Sequence, residues 1–276
     1  VLVFFLNHIP SSIRINAVLE GIGRRLLNAI AKNFDQPMKA RVEGEVRQGT
    51  PVVADRSGYI QIINWQELLE VARKSGAHLQ MAVRTGDFVH PGVSIGYWSE
   101  RPDEEFDGKV RDCLALGESR TPHQDLHFMI DELVEIGLRA LSPGINDPFT
   151  AISALHWIGA ATAELGRRDL NWSIGEPDED GNRPLRPIAD DFGHYVARGF
   201  GTIRSGVATS PAAATVMFDT LENAAATITD PIRHKIIRDE AAQLMRQANA
   251  NLVGPDLELV EAYFALFRSR TEDRPL

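Results

Sequence analysis

His123, His127 and Asp131 stand four residues apart in RTPHQDLHFMID, and imidazole and carboxylate groups repeating along one helix face can ligate zinc or another divalent metal. A solvated helix face accounts for the same spacing. The stretch ALSPGINDPFTAI, residues 140–152, presents a second set of polar groups in Ser142, Asn146 and Asp147. Free amides at the start of a helix there, with the Ser142 and Asn146 side chains, could hold an anion or a carboxylate. Asp147 beside those amides opposes an anion, and a capped corner between two helices explains most of the stretch. Cys113 is the single cysteine, so no intramolecular disulfide framework exists, and no sequence cue supplies it with a base. The chain contains no H-E-x-x-H, no G-x-x-x-x-G-K-[ST] and no G-x-S-x-G. A non-enzymatic role in assembly, in ligand sensing or in regulating a channel or transporter is therefore preferred over catalysis, and no cofactor is expected. The alternative is a membrane-tethered, metal-dependent hydrolase using the His123, His127 and Asp131 face.

The elements that must position these residues fall into an α+β pattern. Residues 1–40 read as an N-terminal helix, 41–100 as a small β-rich module, 101–119 as a linker and 120–276 as a helical domain. In the module, RVEGEVR, TPVVADRSGYIQIIN and HLQMAVRTGDFVHPGVSIGYW carry alternating or continuous apolar runs broken by glycine and proline. WQELLEVARKSG reads as a helix closed by Gly76. SGYIQII and GDFVHPGVSI resemble the two halves of a biotinyl-lipoyl-like barrel-sandwich. No lysine stands at a hairpin tip, which argues against a covalent carrier role, and the module is expected to be a spacer or an assembly platform, with a homo-oligomer as its product.

Beyond residue 120 the helix starts share one device. Thr121-Pro122, Asp147-Pro148, Ser210-Pro211 and Asp230-Pro231 place a side-chain acceptor before a proline, the N-cap and N1 arrangement. Leu126, Ile130, Leu133, Val134 and Leu141 form one apolar face, with Glu135 and Arg139 spaced for an ion pair on the other.

Charge and hydropathy locate the chain. The net charge of −9 divides into +3 over residues 1–47 and −12 over the rest, which argues against nonspecific nucleic-acid binding. Val1 to Leu6 with Ile9 supply one or two apolar turns, far short of the roughly 20 residues that span a bilayer. Arg14, Arg24, Arg25, Lys32, Lys39 and Arg41 follow, as on the cytoplasmic side of a span. Two readings stand: a buried first helix, or the end of a membrane span running into an amphipathic connector with Ile15, Val18, Leu19, Ile22, Leu26, Ala29 and Ile30 on one face.

The run SRTPHQDLHFMIDELVEIGLRALSPGINDPFTAI, residues 119–152, resembles the signature region of a bacterial family of predicted multi-pass membrane proteins of unknown function. RSGYIQII and RTGDFVHPG are similar to that family's β segment. The resemblance implies several transmembrane helices upstream and a large soluble part in the cytoplasm, anchored to the inner membrane. Gln124, Asp125, Ser142, Pro143, Asn146, Asp147, Pro148 and Phe149 match the motif, which adds Gln124 and Asp125 to Ser142, Asn146 and Asp147 as candidate ligand-binding residues. His123 and His127 are not part of it.

Overall fold

A computed structural model describes residues 2–37, 49–170, 174–177, 183–188 and 190–272. In chain order its elements begin with α1 (Leu2–Asn33), β1 (Thr50–Val53), β2 (Gly58–Ile63), α2 (Trp65–Ser75), β3 (Leu79–Met81), β4 (Phe88–Val89) and β5 (Ser94–Trp98). There follow α3 (Glu105–Asp112), β6 (Leu114–Gly117), α4 (Leu126–Ala140), α5 (Pro148–Gly166), β7 (Leu185–Arg186), α6 (Phe192–Val196) and a π-turn (Ala197–Gly201). The chain ends with α7 (Thr202–Val207), α8 (Pro211–Ala225), α9 (Pro231–Asn251) and α10 (Pro255–Glu272). The class is α+β, in two compact units. A mixed unit comprises Lys39–Phe128 and Leu170–Asp190, and a helical unit comprises Val1–Met38, Met129–Asp169 and Asp191–Leu276.

The mixed unit contains two open sheets, ordered β1-β5-β3-β7 and β4-β2-β6. All pairings are antiparallel except β3 with β7. In β2, Gly58 and Ile60 face inward; an irregularity between Ile60 and Ile62 then shifts the register, so that Ile63 is buried and Ile62 exposed. The core gathers Val52, Ile60, Leu68, Leu79, Met81, Ile95, Trp98 and Val110. Trp98 is fully buried, and its indole N–H donates to Asp107 Oδ1 at 2.9 Å, which removes the cost of burying that donor. Asn64 caps α2 by accepting from Glu67 N, and Gly76 closes it with φ +72°.

The two glycine-turn halves do meet, through Gly58 opposite Val89 and Tyr59 opposite Phe88, but β5 belongs to the other sheet and the described residues form no closed barrel. Residues 101–119 are not a linker: α3 and β6 lie within them, and β6 pairs along β2. Leu114–Gly117 is too short for a period to register in the sequence. Cys113 is buried, and desolvation, with Glu67 and Asp112 nearby, pushes its thiol up to about 11. It is held as a neutral thiol at physiological pH, unsuited to nucleophilic work. The expected strand RVEGEVR lies outside the described residues.

In the helical unit, Leu19, Ile22, Leu26 and Ile30 of α1 are buried at helical spacing, as the amphipathic reading expects, while Val18 on the same helix stays 49% exposed. Gly23 lets α1 close on Trp157 of α5, and Gly159 lets α5 close on Thr220 of α8, since a Cβ at either position would overlap the facing side chain. Phe218 of α8 packs at a tilt against Phe264 and Phe267 of α10, with the three ring centroids 5.4 to 6.5 Å apart. Asp147, Ser210 and Asp230 cap α5, α8 and α9 ahead of their prolines. Among the described residues no helix is long and apolar enough to cross a membrane.

The fourth expected cap is different. Thr121-Pro122 does not start a helix; α4 begins at Leu126, with Asp125 Oδ1 accepting from Phe128 N at 2.8 Å. Gln124 takes φ +60°, a left-handed conformation that ends the preceding turn.

Candidate functional site

The corner at residues 140–152 is assembled from its own backbone. Ile145 N and Asn146 N donate to Ser142 O at 3.0 and 2.9 Å, and Asp147 N reaches back to Ala140 O at 2.8 Å. Ser142 Oγ donates to Arg139 O at 2.7 Å. Asn146 adopts φ +48°, which asparagine tolerates better than other non-glycine residues. Asp147 uses both oxygens locally, accepting from Thr150 N at 3.2 Å and from Thr150 Oγ1 at 2.6 Å. The Ile145, Asn146, Asp147 and Thr150 amides are thus committed within the turn. Replacing Asp147 by Ala is expected to cost about 0.5–2 kcal/mol through loss of the cap, while Asp147→Asn loses only the charge–dipole part, about 0.3–1 kcal/mol. Chemical denaturation of both variants checks the ordering.

The same corner borders a cleft of about 410 Å3 inside the helical unit. Ile15, Val18 and Ile22 of α1, Ile136 of α4 and Ile145 of the corner supply apolar walls. Ile145 is 55% exposed, and its neighbour Phe149 is 77% exposed. Glu132, Glu135, Arg139, Asp147 and Thr150 supply the polar groups. Glu135 and Arg139 pair with each other at 2.6 Å, as their spacing predicts. Glu132 is placed otherwise. Its Oε2 is buried without a hydrogen-bond partner, and Arg25 Nη2 stands 3.8 Å away, beyond hydrogen-bonding reach. Burial pushes the Glu132 carboxyl above the usual range, Arg25 pulls it back and Glu135 pushes it further up.

Gln124 and Asp125 lie in the mixed unit and serve a polar network there. Gln124 Oε1 accepts from Ile63 N at 3.2 Å, and Gln124 O accepts from Thr85 Oγ1 at 2.6 Å. Asp125, 2% exposed, receives Arg120 Nε and Nη2 on Oδ2 at 3.1 and 2.8 Å. Gly86, with φ +91°, passes so close that a Cβ would overlap the Asp125 carboxylate. Asp190 joins His127 Nε2, 2.9 Å from its Oδ2, to the Arg84 guanidinium. Every charge in this network has an opposite partner, the condition under which buried charge is tolerated.

The trio suggested by four-residue spacing separates. His123 is exposed in the turn before α4, His127 pairs with Asp190, and Asp131 accepts Arg198 Nε and Nη2 at 2.8 and 2.6 Å. The spacing loses its force because the helix begins three residues after His123. Glu132 carries no motif in the sequence, and Arg25 stands out there only as one of the basic residues after the apolar start. The amphipathic face of α1 was the one available signal, since it contains Ile15, Val18 and Ile22.

Comparison with known proteins bears on the same span. A family model described as a predicted membrane protein, DUF2254, matches residues 1–223. The chain belongs to that family. Uncharacterized proteins of Mycobacterium tuberculosis and Mycobacterium bovis are each 27% identical to it over 258 residues, covering 90% of this chain and 49% of their own length. The chain thus spans about half the length of the curated relatives it matches. No solved structure matches it. The network around Asp125, the corner and the cleft all lie inside the part that matches the DUF2254 model.

Proposed function

We propose that this chain is a non-catalytic, ligand-sensing region of a bacterial membrane protein, one that reports an occupied cleft to the membrane part of the same polypeptide. The observation that carries the reading is the cleft of about 410 Å3 beside the corner, with apolar walls and one carboxylate oxygen left without a donor. Its size falls within the range of small-molecule sites, roughly 300–1,000 Å3, and its composition is typical of them. The groups best suited to catalysis are committed elsewhere: His127 to Asp190, and Cys113 to its neutral form. The basic residues between Arg14 and Arg41 support a cytoplasmic position for the region. A homo-oligomer is supported by Leu259, Ala262 and Leu266, which form an exposed apolar stripe along α10.

Val18→Trp tests the reading. Val18 is half-exposed, so the indole enters the cleft without displacing core. Native mass spectrometry of the protein from membranes, and thermal shifts against a metabolite collection, should reveal a ligand for the wild type and none for Val18→Trp. A ligand profile unaffected by the substitution, or substrate turnover that disappears in His127→Ala, overturns the sensing role.

A further inference from the structure

We infer that the cleft binds an amphipathic amine, with a protonated, N–H-bearing head on Glu132 and an apolar body against Ile15, Val18, Ile22, Ile136 and Ile145. This rests on the reading of the cleft as a ligand site and specifies its ligand.

The cleft's other acids are already engaged. Glu135 is joined to Arg139 at 2.6 Å, and both Asp147 oxygens are taken up at Thr150. Glu132 Oε2 alone among these carboxylate oxygens is buried without a donor. Arg25 approaches to 3.8 Å, near enough to act through its charge and too far to hydrogen-bond. A buried acceptor without a donor is a cost that a ligand N–H removes, and a charged donor removes it more fully than a neutral one. An anionic ligand would meet Glu132 and Asp147, and a quaternary ammonium has no hydrogen to give. The apolar walls require a body that is itself apolar. A primary or secondary ammonium on a compact hydrocarbon meets all of these conditions.

The same site predicts a pH dependence. Burial raises the Glu132 carboxyl, so ionisation extends to higher pH than for a free side chain. Amine binding should strengthen as pH rises through that titration. The groups facing Glu132 are Arg25 on α1, Glu135 and Arg139 on α4 and Asp147 at the start of α5, and the last three are already paired or capped.

Four probes sharing one rigid body test the inference by calorimetry on the full chain: 1-adamantylmethylamine, its trimethylammonium derivative, the alcohol and the carboxylate. The amine should bind at least tenfold more tightly than the other three. Glu132→Gln should remove that advantage and leave the alcohol unchanged, which also verifies that the variant is folded. Val18→Trp should weaken all four. Equal binding of amine and alcohol, or an amine preference that survives Glu132→Gln, overturns the amine inference while the cleft remains a ligand site. Tightest binding of the carboxylate does the same. Failure of all four probes overturns the inference, and the metabolite screen then decides separately whether the cleft binds anything.

Discussion

Glu240→Ala is expected to cost the helical unit about 3–5 kcal/mol, because it leaves a buried guanidinium without its counter-charge. Arg204 Nη1 donates to both Glu240 oxygens, at 2.6 and 2.7 Å, and the two side chains are only 15% and 5% exposed. Desolvation dominates here and raises the Glu240 carboxyl despite the hydrogen bonds and charge of Arg204. The sign follows from linkage. A carboxyl raised by folding binds more protons in the native state, so its contribution to stability falls as pH rises from the unfolded value to the raised one. Glu240→Gln should flatten that part of the stability profile. The double variant Arg204→Met, Glu240→Leu should recover most of the loss, since a well-packed apolar pair avoids the desolvation of both charges. Hydrogen exchange along α9 is the suitable measurement. Protection in Glu240→Ala should fall by roughly two to three and a half decades, at about 1.4 kcal/mol per decade. A loss under about 1 kcal/mol would show that water reaches Arg204 and that the pair is not structural.

Asp125→Ala should have an effect of similar size in the mixed unit, about 3–5 kcal/mol, through two separate losses. The first is the cap on Phe128 N, worth about 0.5–2 kcal/mol. The second is the partner of Arg120, whose two donors converge on a carboxylate that is almost wholly buried. Asp125→Asn retains an acceptor for the cap and loses the charge, so it should fall between wild type and Ala. Gly86→Ala attacks the same contact from the opposite side, adding left-handed strain at φ +91° to the overlap with Asp125. Urea denaturation of the three variants should rank Asn as the mildest. An Asp125→Asn protein as stable as the wild type would mean that Arg120 gains nothing from the carboxylate charge.

The sequence was most legible where the chemistry is local. Asp147, Ser210 and Asp230 cap their helices through atoms within three residues, and Gly76 closes α2 through its own φ, so neighbouring residues sufficed to locate them. The start of α4 at Leu126 depends on a distant determinant as well as on the local Asp125 cap. Gln124 is held in the left-handed region by contacts with Ile63 and Thr85, and those partners lie 61 and 39 residues away. The parallel pairing of Leu79 with Leu185 is likewise invisible to any local period, and with it the return of residues 170–190 to the mixed unit. The candidate cleft was hidden for the same reason. Ile15 and Glu132 border one space across more than a hundred residues of chain, and Glu132 read alone is an ordinary helical glutamate.

The π-turn at Ala197–Gly201 works as a phase shifter. A regular α-helix advances about 100° per residue, and a wider turn inserts one residue into that count without breaking the rod. Arg198 lies inside the shift and addresses Asp131; Arg204 lies after it and addresses Glu240. Deleting one residue from this turn would restore an unbroken α-helix from α6 into α7, with better backbone hydrogen bonding. It would leave everything downstream in phase, whereas winding the same five residues as regular α-helix would rotate the downstream residues by about 100° and carry Arg204 away from Glu240. The segment therefore bears the geometry of an absorbed one-residue insertion, in which local regularity is sacrificed so that two arginines six positions apart can each face an acid on a different helix.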